Sequence, residues 1–361
     1  MPDMYVYDLA LRRLAVLDNY RSVQLERRYN GVGQLKVEAP LTDTTRDSLG
    51  IDRIVYIDGR AAIIDDVQYL DDKDGGRIVC RGCDLVGILG RRINADIVSY
   101  TNIGAEALMY RLVLDNCVAP KDVRRRMPGI VNCGSIGLTE RITKQDSYSN
   151  LVDLLTDIAR TATADGIISP LGYTVRPDFA AGTLVFEVYR GADRRGQVVF
   201  DAAYDNVLSY DYCCSDNGCN NVAYAFGTGE GADRIGTVWP DTHSGYDRRE
   251  LYVDARDLTQ DEGVTADAYR ALLQQRAAEK LAAIPRVETF AAEIAPSSNY
   301  RLGVDYNLGD VVTVSSRAWG LRMHTRVTAV QEIYETSGYS LNVTFGDDVP
   351  TLIERVKRME R

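Results

Sequence analysis

The sequence predicts a mainly β protein with an α/β region inserted in its middle. Many short segments alternate between apolar and polar residues, as strands with one buried face do, and turn-forming residues separate them. A few segments in the middle of the chain instead place apolar residues at helical spacing. With 361 residues the chain exceeds one ordinary hydrophobic core, so we expect more than one domain.

The alternation is clearest in the segment Ser22–Pro40, which reads SVQLERRYNGVGQLKVEAP. Apolar residues occupy every second position on both sides of a glycine-rich centre, which predicts two strands. Asn30-Gly31 is the commonest signal for a tight hairpin turn, and Gly33 fits a bulge or a close backbone approach. The segment is therefore predicted to be a β-hairpin.

Residues 1–95 read as consecutive short strands separated by tight turns, a pattern that predicts a small antiparallel barrel or sandwich. The predicted strands are MYVYD, LAVLD, SVQLERRY, GQLKVEAP, RIVYIDG, AAIIDDVQYLDD and GRIVCRGCDL.

The middle of the chain is mixed. Helices are predicted within Asn102–Cys117, after a cap at Asp146 or Ser147, and over Thr265–Ile284, where Pro285 lies beyond the end. Further strands are predicted within residues 171–191, 198–214, 220–231, 287–295, 311–316, 324–334 and 339–346, and a short exposed helix is predicted over 351–361.

Charge and hydropathy exclude two classes of partner. The formal net charge is -10, whereas binding to nucleic acid phosphates needs a basic stripe, and the paired arginines are scattered. We interpret those arginines as solvated or interface residues. No apolar run reaches the roughly 18 residues of a membrane helix, and the N-terminus lacks the pattern of a signal peptide. The chain is expected to be made in the cytoplasm and to stay soluble.

The seven cysteines follow no disulfide framework, which suits a reducing compartment. Cys80 and Cys83, together with the cluster of Cys213, Cys214 and Cys219, could in principle supply four thiolates to zinc. Their strand-like spacing favours small core residues instead. We expect no metal and no cofactor.

No catalytic residue is predicted. His243 lies in a polar loop and His324 in an alternating strand, and neither stands in a metal or nucleophile motif. The glycine-rich segment Gly227–Gly236 lacks the lysine of a phosphate loop, so it is predicted to be a turn in the second barrel. A carboxylate pair for glycoside hydrolysis cannot be located by motif.

Several segments resemble the siphophage tail-hub family, which is related to the central baseplate hub of contractile-tailed phages. They occur in the family's order and span about residues 5 to 348. The segments are VYDLALRRLAVLDNYRSVQLERRYNGVGQLKVEAP, CRGCDLVGILGRRI, VYRGADRR, VVFDAAYDNVLSYDY, NNVAYAFGTGEG, DYNLGDVVTVSS and TRVTAVQEIYETSGYSLNVTFG. The loop CCSDNGCNN and the segment PGIVNCGSIGL do not match.

The resemblance implies two β-barrel hub domains in one chain, with an α/β region inserted between and within them. The expected domains are a first barrel over 1–95, an α/β domain over 96–199 and 229–285, a second barrel over 200–228 and 286–346, and a short tail over 347–361.

The resemblance also implies a structural role without enzymatic activity, at the tail tip of a virion assembled in the host cytoplasm. A homotrimeric ring would adapt the sixfold tail tube and distal tail protein ring to a threefold tip. Its further partners would be the tape measure protein and the receptor-binding or tip fibre proteins, and genome DNA would pass through without specific binding. The alternative is a soluble acidic protein that binds carbohydrate or hydrolyses peptidoglycan.

Candidate interface residues lie in two similar motifs, YNGVG and YNLGD, whose barrel edges could pair with a neighbouring subunit or with the distal ring. Arginine and tyrosine there suit an interface, although a hairpin that completes the core would use the same residues. The candidates are Arg27, Arg28, Tyr29, Asn30, Gly31, Gly33, Tyr306, Asn307, Gly309 and Asp310.

Overall fold

The computed structural model of the chain describes residues 1–72, 75–258, 265–284 and 286–346. Its N-terminal region consists of strands with one short helix. These elements are β1 (Met4–Tyr7), β2 (Arg13–Leu17), β3 (Ser22–Arg28), β4 (Gln34–Pro40), α1 (Asp43–Ser48), β5 (Ile54–Ile57), β6 (Arg60–Asp72) and β7 (Gly75–Asp84).

The middle region mixes helices with short strands. These elements are β8 (Val98–Gly104), α2 (Ala105–Val113), β9 (Ile130–Asn132), β10 (Arg141–Asp146), α3 (Leu151–Thr161), β11 (Thr163–Ala164), β12 (Ile167–Ile168), β13 (Gly172–Asp178) and β14 (Thr183–Tyr189).

The remaining region returns to strands on both sides of one long helix. These elements are β15 (Val199–Phe200), β16 (Val207–Ser215), β17 (Val222–Phe226), β18 (Gly236–Trp239), β19 (Glu250–Asp254), α4 (Ala266–Ala282), β20 (Val287–Ile294), β21 (Val311–Ser316), β22 (Leu321–Glu335) and β23 (Gly338–Gly346). The mainly β class predicted from the sequence is confirmed.

Helix caps explain where the helices begin. Thr265 caps α4 as expected, since its side chain accepts a hydrogen bond from the backbone of Ala268. Helix α3 is capped by Asn150, which accepts from Val152 N at 3.0 Å, so the predicted cap at Asp146 or Ser147 is wrong. The sequence did not identify this cap, because several short polar residues that can each cap a helix stand close together before α3. Pro285 and the helix predicted over 351–361 lie outside the described residues.

Thirteen of the described strands form one sheet. Eleven of them follow the order β16-β20-β23-β22-β3-β4-β7-β6-β5-β1-β2, and β21 joins β22 while β15 joins β21. We call β1–β7 the first half-sheet, and β15, β16 and β20–β23 the second half-sheet. The two are continuous through β3 and β22. The pairings between described strands leave this sheet open, and two closed barrels stay a prediction.

The two half-sheets repeat the same pairing pattern. Asp72 pairs with Gly75 to close the β6–β7 hairpin, and Glu335 pairs with Gly338 to close β22–β23. The first ladder is irregular between Ile64 and Asp66, and the second at the corresponding place in β22. Strand β4 then pairs with β7 as β20 pairs with β23, and β3 pairs with β4 as β16 pairs with β20. The chain therefore carries one structural unit twice.

The repeat is visible in the sequence once the ladders align it. DVQYL in β6 corresponds to AVQEI in β22, so that Val67-Gln68 stands where Val330-Gln331 stands. Strand β3 is followed by Asn30-Gly31, and β16 by Asn217-Gly218. The YNGVG motif thus corresponds to the cysteine-rich DNGCN segment, not to YNLGD. Gly309 of YNLGD instead precedes β21 as Asp52 precedes β5, and both have positive φ.

One of the three smaller sheets among the described strands has three strands, β17, β18 and β19. Strand β17 pairs with β18 and β19, and its alanines pack with Val253 against Leu272 and Leu273 of α4. The structure thus places Val222–Phe226 with the inserted elements, whereas the sequence assigned it to the second barrel. Gly227–Gly236 is the predicted turn, but it joins β17 to β18 in this smaller sheet. None of the helices in the described ranges is long and apolar enough to cross a membrane.

Candidate functional site

The two half-sheets meet at one joint. Strand β3 pairs antiparallel with the C-terminal part of β22, from Ser22 opposite Glu335 to Arg28 opposite Ala329. Strand β22 is long enough for this because Leu321–Arg326 pairs with β21 and the following residues reach β3. The pairing brings the N-terminal motif YNGVG to the C-terminal region of the chain, and we call this place the joint.

Each side of the joint contributes a tyrosine to the other side's core. Tyr29, which follows β3, is buried among apolar residues of the second half-sheet. Tyr334 near the end of β22 is buried in the core of the first half-sheet, and its hydroxyl donates to Asp58 at 3.3 Å. Because burying an aromatic side chain contributes up to a few kcal/mol, these residues hold the half-sheets together.

A shared carboxylate lies across the joint. Glu332 is only 2% exposed, and its Oε2 accepts from Arg27 Nη2 at 3.0 Å and from Arg60 Nε at 2.9 Å. Burial disfavours the charged form of Arg60, but the charge of Glu332 outweighs it and raises the pKa of that guanidinium. Because Arg27 lies in β3, Arg60 in β6 and Glu332 in β22, the two cations around one buried anion fix these strands relative to one another.

Tyr29 connects three segments of chain. Its backbone N donates to Thr328 O at 2.9 Å, and its hydroxyl donates to Pro170 O at 3.0 Å and accepts from Gly191 N at 3.3 Å. Burial raises the pKa of the Tyr29 hydroxyl, which keeps it a donor. The guanidinium of Arg326 stands 5.0 Å from the centre of the ring, a cation–π distance.

Glycines make room for this ring. A Cβ atom at Gly172 or at Gly309 would overlap the ring carbons of Tyr29. Gly309 also has φ of 96°, which other residues rarely adopt. The YNGVG and YNLGD motifs, which lie near opposite ends of the sequence, therefore touch each other at Tyr29 and Gly309.

Asp310 fixes the loop that enters from the middle region. Its Oδ1 accepts from Ala192 N at 2.7 Å, its Oδ2 accepts from Asn307 N at 2.9 Å, and Arg194 Nε stands 3.8 Å away. Asp310 is 3% exposed. Tyr306 is fully buried and packs edge-on against Phe200, with ring centres 5.1 Å apart.

The other predicted interface residues divide by exposure. Gly31 and Gly33 are buried, and a Cβ at Gly33 would overlap the carbonyl of Glu26, which is the close backbone approach that the sequence predicted. Arg28 is partly buried and donates to Glu26 Oε1 at 2.8 Å, while Asn30 accepts from Arg160 at 3.5 Å. Asn307 is exposed. Most candidates thus already have packing roles within the chain, and contact with another subunit stays a prediction.

The sequence did not predict a role for Glu332, Arg60 or Arg326. Glu332 lies on the buried face of β22 between Val330 and Tyr334, a position where alternation predicts an apolar residue, so its residue type gives no signal of burial. Only the pairing of β22 with β3, far apart in sequence, surrounds it with arginines.

Both histidines have side-chain partners, and Cys80 is buried. His243 Nδ1 lies 2.8 Å from Asp247 Oδ2, and His324 Nδ1 lies 3.0 Å from Thr313 Oγ1. Burial raises the pKa of the Cys80 thiol to about 12. Among the described residues, no group of His, Cys, Asp and Glu side chains is arranged to hold a metal.

Comparison with known proteins agrees with this fold. The family model described as Siphovirus ReqiPepy6 Gp37-like protein matches residues 3–347. No curated protein gives a significant match. A tail protein from Neisseria meningitidis MC58 is 15% identical, with a TM-score of 0.60 over 96% of both chains.

Two prophage tail proteins share the fold as well. The 43 kDa tail protein of prophage MuSo2 from Shewanella oneidensis is 13% identical, with a TM-score of 0.54 over 96% of both chains. The prophage tail protein gp18 from Listeria monocytogenes EGD-e is 12% identical, with a TM-score of 0.53 over 99% of this chain and 98% of that one. Because the family model spans nearly the whole sequence, the chain belongs to the Siphovirus ReqiPepy6 Gp37-like family of phage tail proteins.

Proposed function

We propose that this chain is the structural hub of a tail tip or baseplate, and that three copies close into a ring. The observation that carries the proposal is the repeat: each chain holds two half-sheets with the same pairing pattern, already joined side by side through β3 and β22. Three such chains present six similar units. A ring of this kind matches a sixfold tail tube on one side and a threefold tip on the other.

The partners follow from that position. The ring would contact the distal tail protein ring above it, the receptor-binding or tip fibre proteins below it, and the tape measure protein in its channel. It would be assembled in the host cytoplasm and then reside in the virion. DNA would pass through on ejection, and a net charge of -10 suits a passage that does not hold phosphates.

The role is structural in this proposal. The joint consists of buried packing, backbone ladders and a paired carboxylate, and these groups serve cohesion. A peptidoglycan-release assay distinguishes the hub from the hydrolytic alternative, because the hub releases no soluble fragments.

Electron microscopy of the purified protein tests the ring. Views down the symmetry axis should show three chains and six similar densities. Particles of any other symmetry would contradict the proposal.

A further inference from the structure

A small cleft in the middle of the chain lies between the four-stranded sheet β12-β11-β10-β8 and helix α4 with the end of β18. Its volume is about 200 Å³. Sites for drug-sized ligands occupy roughly 300 Å³ or more, so this cleft suits a smaller molecule. The sheet contributes Asn102, Arg141 and Thr143 to the lining, and the other elements contribute Trp239 and Gln274.

A bulge in the sheet fixes the polar side of the cleft. The β8–β10 ladder shifts register between Ile142 and Lys144, and Asn102 in β8 at this point has φ of 52°. Asparagine adopts this conformation more readily than most residues. Its backbone N donates to Thr143 Oγ1 at 3.0 Å, and its Oδ1 accepts from Arg141 Nε at 2.8 Å. Since bulges often re-aim side chains beside functional sites, this one holds the guanidinium at the cleft.

Trp239 and one face of α4 form the rest of the cleft. Trp239 pairs with Ala223 and packs against the core that α4 shares with β17, yet it stays partly exposed. On α4, Ala271 and Ala278 are small, and Gln274 lies on the same face between them. The Gln274 amide has no hydrogen-bond partner among the described residues, so its donor and its acceptor are available.

The cleft has one cation and no anion. Arg141 is the only charged residue among the described residues that line it. No carboxylate in the described ranges stands within ion-pair distance of this arginine. A second cleft beside α4, of about 380 Å³, is instead lined by four Asp and Glu residues. In a chain of net charge -10, a cation without a countercharge favours a ligand with one negative charge.

We propose that this cleft binds one sugar residue that carries a carboxylate, such as a hexuronic acid unit of a glycan. The C–H face of the sugar ring lies on Trp239, which offers an apolar aromatic surface. The carboxylate accepts from Arg141 Nη1, which has no acceptor among the described residues. Sugar hydroxyl groups both donate and accept, as do the amides of Asn102 and Gln274. A nucleic acid strand fits less well, because its phosphates need several cations.

The site binds sugar without cleaving it. Glycoside hydrolysis uses a pair of carboxyl groups beside the bond, and the described lining contains none. The inference goes beyond the structural hub, because it gives each chain a glycan-binding cleft that does not depend on the ring.

The fluorescence of Trp239 tests the proposal directly. The chain has two tryptophans, and Trp319 is 49% exposed, so W319F leaves Trp239 as the single reporter with little disturbance. Methyl β-D-glucuronide should change the emission saturably, with a Kd on the order of 1 mM for so small a ligand. Methyl β-D-glucoside has a hydroxymethyl group in place of the carboxylate and should bind about tenfold more weakly.

Three variants in the W319F background locate the contacts. Because Arg141 is exposed, R141Q should fold, bind the glucuronide about tenfold more weakly and no longer prefer it to the glucoside. R126Q removes a charge that is also exposed but lies outside the cleft, and it should bind both sugars as W319F does. Q274A removes an amide without a partner among the described residues and should weaken both sugars by a similar factor.

The pattern of affinities decides the proposal. Preference for the glucuronide that R141Q abolishes and R126Q retains would support it. No emission change and no heat of binding with either sugar, equal affinity for the two sugars in W319F, or equal losses in R141Q and R126Q would overturn it. Tighter binding of thymidine monophosphate than of the glucuronide in calorimetry would assign the cleft to a nucleotide and overturn it as well.

Discussion

The ring of Tyr29 lies against the backbone of Gly309, where a single added methyl group would overlap it. The two residues come from opposite ends of the chain, one just after β3 and the other just before β21. Their contact unites the two half-sheets.

The first prediction concerns G309A. The new Cβ would overlap the Tyr29 ring, and alanine would have to adopt φ near 96°, so we expect the free energy of unfolding to fall by about 3 kcal/mol. Chemical denaturation measures it. Gly320 is the matched control, because it has φ of 63° with open space around it, and G320A should lose only about 1 kcal/mol. Equal losses in the two variants would contradict a role for Tyr29 packing.

The second prediction concerns E332Q. This change leaves Arg27 and Arg60 without their common countercharge, and since both arginines are partly exposed we expect a loss of about 2 kcal/mol. Glu335 on the same strand accepts only from Ser22 at 3.1 Å among the described contacts, so E335Q should change stability by less than about 1 kcal/mol. If E332Q unfolds at the same denaturant concentration as the parent, the shared carboxylate does not stabilise the joint.

A pH dependence is expected from Asp84. Burial raises the pKa of this carboxyl to about 7. The backbone N–H groups of Gly33 and Val86 favour the ionised form and partly oppose this shift. The folded chain therefore binds the proton more tightly than the unfolded chain, whose aspartate titrates near 3.8. Stability from this group is lost as pH rises from about 4 to 7.

The D84N variant removes this titration. We expect it to be more stable than the parent at pH 8, by at most about 4 kcal/mol, with the difference shrinking toward pH 4. Thermal unfolding across this pH range measures the difference. A constant difference between the two proteins would show that Asp84 does not titrate differently in the folded state.

The charge predicts weak interaction with DNA. An acidic chain releases few counterions from duplex phosphates, so a gel shift at physiological salt should show free DNA at micromolar protein. Tight, salt-sensitive retention of duplex DNA would contradict a passage that lets the genome slide.

Local chemistry explains what the sequence could predict. Asn30-Gly31 follows the first strand of a hairpin as expected, and Thr265 caps the long helix. Both depend on interactions within a few residues. The burial of Tyr29 could not be predicted in this way, because it depends on Thr328, Pro170 and other residues far away in the chain.

The repeat had a faint sequence signal that alternation alone does not reveal. Val67-Gln68 and Val330-Gln331 match, but a two-residue identity carries weight only after the ladders place both pairs at the same position. For the same reason the place of the cysteine-rich segment in the repeat became clear only from the structure, where β16 corresponds to β3.

The number of copies at the tail tip tests the central claim most directly. Electron cryo-microscopy of intact virions, reconstructed around the tail axis without imposed symmetry, resolves how many chains surround the channel. The hub proposal predicts three copies, whose six half-sheets surround the channel. One copy, or six copies, around the axis would contradict it.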